Sequence, residues 1–380
     1  MTVPQMKTLE APPRRGGFTL VELLVVITII GVLAGIAVPV AFSVRNAAIA
    51  SALKFEATGM EQSVNSYQLK YGNYPPDFID GDIVRRHYRT AFPNISATEL
   101  TLVAGSTNAN SVLANMDRAE VLVWNLGGFS DDPERPFTGK GGPLDPIIDY
   151  ASMTQAQRID LNNYQYNIDR VNPFFAFGTE EIRISGYDPS LALSATNRTV
   201  STDDGDPLPV FQKGDDEAPY VYFDSRTYAA KNGTSFAGGI YNGYANAEWG
   251  EVRPYFSNQP VAKRGTSDYA DIDDALGGWQ FVNPDTFQII GPGRDGRYGQ
   301  VSVSSGSVFG NSNANANDPP VYFQYPTGRL IVPRDDVNNP AALVSDQVST
   351  FKTTSEPFSE VEDLRGDDTG NFLRGSRLAD

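Results

Sequence analysis

Hydrophobic positions change their spacing twice along this chain. From Phe18 to Val44 they run almost unbroken for 27 residues, with a single charge, Glu22, and only Thr19, Thr28 and Ser43 as other polar side chains. About 20 residues rising about 1.5 Å each cross a hydrocarbon layer roughly 30 Å thick, and a backbone in lipid must satisfy its own amides, so the run predicts a helix that spans a membrane. Beyond Val44 the pattern turns amphipathic. Leu53, Ala57, Met60, Val64, Tyr67 and Tyr71 follow one another at intervals of three or four, placing them on one helical face, while Lys54, Glu56, Glu61, Gln62, Asn65 and Lys70 fill the remainder. Gly59 is a weak break, and the pattern predicts one helix from Phe18 to Tyr71, 54 residues and about 80 Å long. Gly72-Asn73-Tyr74-Pro75-Pro76 stops it, with glycine as cap and prolines that cannot continue.

From Asp77 onward short apolar segments alternate with Gly, Pro, Asn and Asp. Leu113–Leu126 reads as a helix closed by Gly127-Gly128, although Val121-Leu122-Val123-Trp124 alone also suits a strand. Glu181–Ser185, Tyr220–Asp224, Thr286–Ile290, Val301–Ser304, Val321–Tyr325 and Leu330–Val332 are strand candidates, most of them rich in β-branched or aromatic residues. Segments 186–218, 228–280 and 305–319 are polar and weakly periodic, which predicts long loop insertions, some of them poorly ordered. The expected architecture is α+β: a long N-terminal helix, membrane-spanning in its first half, packed on a mainly antiparallel sheet head. Its segments are 18–44 (membrane helix), 45–72 (amphipathic continuation) and 73–380 (head outside the membrane).

Charge sharpens this picture. The chain holds 30 Lys and Arg against 46 Asp and Glu, a net charge of -16. Residues 1–17 carry Lys7, Arg14 and Arg15 against Glu10, so everything beyond them is at -18. Such acidity repels nucleic-acid phosphates and excludes that class of partner. Positive charge just before the apolar run orients the helix with its N-terminus in the cytoplasm and the head outside. With no cysteine there is no disulfide or thiol chemistry. A head of this size can build a core without cross-links. Glu22 is the anomaly, since a carboxylate facing lipid costs roughly 2–3 kcal/mol or more. A secretory signal peptide cut near Ala48-Ile49-Ala50 is a poor fit, because its apolar core would be about 7–15 residues. A plain signal anchor fits the length and the flanking charges but leaves Glu22 without a reason.

The head offers little catalytic chemistry. His87 is the only histidine and lies in Arg85-Arg86-His87-Tyr88-Arg89, which reads as a solvated turn or early helix. No Gly-x-Ser-x-Gly elbow accompanies it, and one histidine without cysteine does not make a zinc site. Asp203-Asp204-Gly205-Asp206 and Asp215-Asp216-Glu217 read as solvated loops. Gly291-Pro292-Gly293-Arg294-Asp295-Gly296 formally fits a dinucleotide fingerprint, but a strand pattern rather than a helix follows, so that reading fails. The chain is not expected to be an enzyme. A hydrolase would require two carboxylates converging in a cleft. A tethered module binding glycans or proteins through its 18 tyrosines and long loops is a second alternative.

Arg14-Arg15-Gly16-Gly17-Phe18-Thr19-Leu20-Val21-Glu22 followed by an apolar helix resembles the cleavage and methylation segment of type IV pilins and type II secretion pseudopilins. The close likeness runs from Arg14 to about Pro39 and continues more weakly to about Pro76. It implies a leader, 1–17, removed by a prepilin peptidase between Gly17 and Phe18, with N-methylation of Phe18. It also implies that Glu22 pairs with the N-terminal ammonium of a neighbouring subunit during assembly, and it places Pro39 at a position where the family commonly has proline. The implied function is that of a pseudopilin: a subunit polymerised through its N-terminal helix into a secretion pseudopilus that helps move exported proteins across the outer membrane. The implied partners are the peptidase, itself, other pilin-like subunits and an inner-membrane assembly platform. The alternative within the family is a major or minor type IV pilus subunit. Phe287–Gly299 resembles the C-terminal loop of major pseudopilins, where an acidic stretch follows and binds calcium. That resemblance implies Ca²⁺ at Asp295 with Asp367 and Asp368, and no other cofactor; here the acidic residues come about 70 positions later than usual.

Overall fold

The computed structural model describes residues 20–183, 206–214, 217–228, 244–246, 249–252, 254–260, 279–293, 296–298, 322–325, 329–331 and 369–370. The chain divides into two compact units, residues 1–50 and 51–380. The first is helical where described. Helix α1, Leu20–Tyr71, begins in it, passes Pro39 and Gly59 without interruption, and ends in the second. Gly72 closes it in the left-handed region, φ +84°, with its N–H donating to Gln68 O at 2.8 Å.

In the second unit a collar of short helices follows: α2 (Gly81–Ala91), α3 (Ala97–Ala104), α4 (Val112–Asn115) and α5 (Val121–Leu126). Asp80 caps α2 by accepting from Asp82 N and Ile83 N, and Ser96 caps α3 by accepting from Glu99 N. The predicted helix over Leu113–Leu126 is therefore two helices. The break is made by reciprocal bonds: Asp117 Oδ1 accepts from Ala119 N and Glu120 N, while Glu120 Oε2 accepts from Asp117 N, which starts α5 afresh. Arg170 closes the far end of α5, donating from Nη1 to Val123 O at 2.9 Å and from Nη2 to Trp124 O at 2.7 Å.

The strands are short. β1 (Leu144–Pro146) pairs antiparallel with β2 (Tyr164–Tyr166), with α6 (Gln155–Arg158) between them in sequence. β3 (Ile182–Arg183) pairs with β4 (Val210–Phe211), and β5 (Val221–Asp224) lies further on. β6 (Tyr244–Asn246) and β7 (Gly250–Val252) form a hairpin ahead of β8 (Tyr255–Pro260) and β9 (Trp279–Phe281). The last described strands are β10 (Phe287–Gly291), β11 (Tyr322–Tyr325), β12 (Arg329–Ile331) and β13 (Thr369–Gly370). β10 is the centre of a sheet ordered β13-β10-β5, and a second sheet runs β12-β11-β8-β9, in which β8 and β11 are parallel.

The α+β class is as expected, and the head is built from several small sheets rather than one. Strands predicted near 181–185, 220–224, 286–290, 321–325 and 330–332 are present within a residue or two. Val301–Ser304 and 305–319 lie outside the described residues. The loop readings of 186–218 and 228–280 are corrected at β4, β6, β7, β8 and the start of β9, where strand pairing, local in the β6–β7 hairpin and longer-range elsewhere, makes strands of segments with weak local periodicity.

One face of α1 enters the core as its spacing predicted: Leu53, Ala57, Met60, Val64 and Tyr67 are buried, and Tyr71 packs at the edge. Around Tyr67 lies a polar chain sealed by aromatic rings. Its hydroxyl is 2.7 Å from His87 Nε2 and 3.3 Å from Asn125 Oδ1; Tyr88 donates to the same Asn125 oxygen at 2.9 Å, and Trp124 Nε1 donates to Tyr88. His87 is thus a core residue of α2, 3% exposed, and not a solvated one. Its neighbours on α2, Val84 and Tyr88, are buried with it, and the Arg85, Arg86 and Arg89 charges masked that face in the sequence. The junction after α1 is tied to β5: Tyr222 donates to Pro75 O, Asp77 pairs with buried Arg118 at 3.1 Å, and Thr227 donates to Asp77.

Glu99 on α3 holds a further buried acid. It accepts from Phe137 N, Thr138 N and the Thr138 hydroxyl. Burial pushes its pKa from 4.5 up to about 7, outweighing those bonds and the Arg135 charge, which favour the carboxylate. The sign follows: with the folded pKa above the unfolded one, its contribution is fully present below about pH 4.5, declines as pH rises, and is lost once pH passes about 7. Comparing denaturant unfolding of wild type and Glu99→Gln across this window should show wild type losing about 3 kcal/mol relative to the variant. A difference independent of pH would show that Glu99 has the same pKa in the folded and unfolded chain.

Candidate processing and assembly segment

The first half of α1 is a helix whose apolar side chains find no cover among the described residues. Leu20–Val38 has a mean hydropathy of 2.7, and its large side chains are exposed: Leu20 is at 79%, Leu33 at 62% and Ile36 at 64%. By length and composition this stretch suffices to cross a membrane. Thr28, polar within it, donates its hydroxyl to Leu24 O at 2.8 Å and so adds no unsatisfied group. Gly31 and Gly35 stand four apart, on one face, with open space where each Cβ would be. Such a face lets another helix approach closely.

Glu22 lies in the first turn of α1, where the helix dipole favours a negative charge. Pro39 sits inside the helix, where it supplies no amide donor. Gly17 and Phe18, the expected cleavage pair, precede the described residues. Asp295, Asp367 and Asp368, the expected calcium ligands, also lie outside them. Among the described residues no group of three or more acidic, histidine or cysteine side chains converges as a metal site would require. The parts of the chain that flank the expected ligands are nevertheless brought together. Thr369 and Gly370 in β13 pair with Gly291 and Ile290 in β10, and Gly296 (φ +75°) closes a turn on Gly293 O. Gly291 must be glycine here, because a Cβ would stand 2.2 Å from the Tyr220 ring.

Sequence reasoning missed the Tyr67–His87–Asn125–Tyr88–Trp124 chain. Tyr67 was legible as a core position, but nothing local marked the partners.

Comparison with known proteins bears on the N-terminal segment. The family described as the prokaryotic N-terminal methylation motif matches residues 12–38. The type IV major pilin protein PilE of Neisseria gonorrhoeae is 39% identical over 109 residues, which is 28% of this chain and 65% of that protein. The chain thus spans just under two thirds of the length of that curated relative. No solved structure matches. The chain thus carries the N-terminal methylation motif with an exposed apolar helix continuing from it, and is similar to a type IV major pilin over 109 residues.

Proposed function

We propose that the chain is a filament subunit, cut between Gly17 and Phe18 by a prepilin peptidase, methylated on Phe18, and polymerised through the first half of α1. The observation that carries this reading is the uncovered apolar helix with a carboxylate in its first turn, directly after the methylation motif. Before assembly the inner membrane covers the helix, with the N-terminus cytoplasmic and the head outside. After assembly other subunits' helices cover it, delivered through an inner-membrane assembly platform. Glu22 selects the register, because a carboxylate in an apolar surround, costly by roughly 2–3 kcal/mol or more, is stabilised where it meets the ammonium of a neighbour's Phe18. The function lies in assembly rather than in catalysis.

Within this class a type II secretion pseudopilus is the favoured assembly, on the absence of cysteine, the Tyr71–Pro76 junction and the 287–299 loop. A pilus is the second reading, favoured by the likeness to a type IV major pilin. Deleting the chain should stop export of secreted proteins into the medium while leaving surface pili in place; the opposite pattern would give the pilus reading.

Intact mass and N-terminal sequencing of the membrane-extracted protein should find methylated Phe18 first, and Met1 retained when the peptidase is absent. Glu22→Ala should still be processed yet yield at least about tenfold less filament, as expected for losing a charge-assisted contact of about 1.5–3 kcal/mol. Cleavage near Ala50, or an intact Met1 in both strains, would leave an anchored or secreted binding domain instead.

Calcium at Asp295, Asp367 and Asp368 belongs to the same proposal. Support comes from the β10–β13 pairing, which sets the chain just after Asp367-Asp368 beside the strand that leads to Asp295, despite the long separation in sequence. Calcium needs about six to eight oxygens, which aspartates and turn carbonyls supply. Millimolar Ca²⁺ should raise the melting temperature of the detergent-solubilised full chain, and Asp295→Ala should abolish the rise. An unchanged melting temperature in wild type would remove calcium from the account.

A further inference from the structure

The cluster Arg85-Arg86-His87-Tyr88-Arg89 has no part in assembly through α1, and the fold divides it. Arg85 turns to Ala104 O, at 2.9 Å, whereas Arg86 and His87 line a cleft of about 360 Å³ with Asn73, Ile83, Thr90 and Arg226. Among the described residues no carboxylate lines this cleft, in a chain of net charge -16. Arg226 is anchored from behind: Nε donates to both Asp224 oxygens and Nη2 to Tyr74 O, leaving Nη1 without a partner among the described residues. Arg86 uses only Nε, on Asp82 O at 3.2 Å, so both of its terminal amino groups are unengaged among the described residues. Asp224 balances the charge of Arg226, and Asp82 lies one turn before Arg86 on α2, so the cleft is mildly rather than strongly positive.

His87 adds the more telling observation. It is 3% exposed, its Nε2 is 2.7 Å from the Tyr67 hydroxyl, and its Nδ1 is buried without a partner. Burial, and then the Arg226 charge, lower its pKa to about 3, so the ring is neutral. The Tyr67 hydroxyl has one proton for two neighbours, His87 Nε2 at 2.7 Å and Asn125 Oδ1 at 3.3 Å; assigning it to the nearer puts the ring proton on Nδ1, as an N–H with no acceptor among the described residues. An unsatisfied buried donor is costly, on the order of 1–3 kcal/mol, and native structures seldom keep one without a use.

From this arrangement we infer that the cleft between α2, the Asn73 junction and Arg226 binds a small oxyanion, a phosphate or carboxylate borne on a polar stem of about monosaccharide size. The two guanidiniums take the anion, which planar forked donors do well, and His87 and Asn73 supply neutral donors. The volume exceeds what a bare phosphate fills and leaves Ile83 as a wall for the stem. The site is in the head and goes beyond the filament reading. Binding there does not require polymerisation.

The single histidine makes the test direct. The full chain in uncharged dodecyl maltoside, labelled with ¹⁵N, would be titrated with glucose 6-phosphate, glucuronate, inorganic phosphate and glucose while the imidazole nitrogens are observed. A saturable shift of the His87 Nδ1 resonance with one or more of the anions, and none with glucose, is the expected result. A phosphate ester that binds more tightly than inorganic phosphate identifies a sugar phosphate as the ligand class; equal binding identifies the free anion, and a response to glucuronate alone identifies a sugar acid. Arg86→Gln, an exposed position bonded only to a backbone carbonyl, should keep the wild-type melting temperature and weaken binding about tenfold or more. No saturable shift with any anion up to about 50 mM, where even millimolar affinity would show, would overturn the inference. An identical response in Arg86→Gln would overturn it as well.

Discussion

Everything in this molecule is subordinate to the need to cover the first half of α1. Fully burying a large aliphatic side chain is worth about 1.5–3 kcal/mol, and between Leu20 and Val38 one such side chain follows another with more than two fifths of its surface open. A helix of this kind has no stable state in water. Lipid satisfies it without specificity, and neighbouring helices satisfy it with register. The exchange between these two covers is close to neutral in apolar burial, because lipid tails are as apolar as leucine, so small polar terms decide which wins. In the proposed filament Glu22 is the main such term near the start of the helix, and the Gly31–Gly35 face adds van der Waals contact where another backbone approaches.

The second half of α1 answers a different requirement. Residues 53–67 bury one face among α2, α3 and α5, and the binding there is partly polar. Tyr67 carries a hydroxyl into the core and can do so only because His87 and Asn125 stand ready to receive it. Asn125 in turn holds Tyr88 and, with its amide, Val121 O. A rotation of α1 by one residue would strand each of these groups, so the network fixes the helix angularly in a way that Val64 or Met60 alone would not. Glu56 extends the same logic up the helix, accepting from Tyr220 at 2.8 Å and pairing with Lys213 at 2.7 Å.

What the sequence reveals follows from how local each cause is. Spacings of three and four identify the buried face of α1, and Gly72 with Pro75-Pro76 identifies its end, because both act within a turn or two. Val221–Asp224 and Phe287–Gly291 are legible since each is a dense apolar run, buried on both faces. Helix α2 is not legible, because three arginines outweigh the two core positions that flank His87. The split at Met116–Glu120 depends on side-chain bonds between Asp117 and Glu120 that compete with continuing the helix. The small sheets at 244–260 depend on partners that periodicity does not register. The methylation motif sits in the N-terminal segment and is legible as a short linear pattern, whereas the cleft beside His87 is assembled from three stretches more than a hundred residues apart in their extremes and has no linear signature.

That contrast also says where variation is tolerated. In the proposed filament the helix fits a repeating environment of lipid and identical neighbours, so every face is under constraint and a change there alters every contact at once. The head has only to seat residues 53–71 and the Asn73–Asp77 junction; Tyr222, Arg118 and Thr227 hold that junction from one side and the α2–α5 collar grips the helix from the other. Beyond those contacts the strands are two to six residues long and loosely ordered into separate sheets, an architecture into which long segments insert without disturbing the grip. β13 illustrates this: it returns to pair with β10 from nearly eighty residues away, closing the sheet edge next to the Gly293–Gly296 turn whatever lies between.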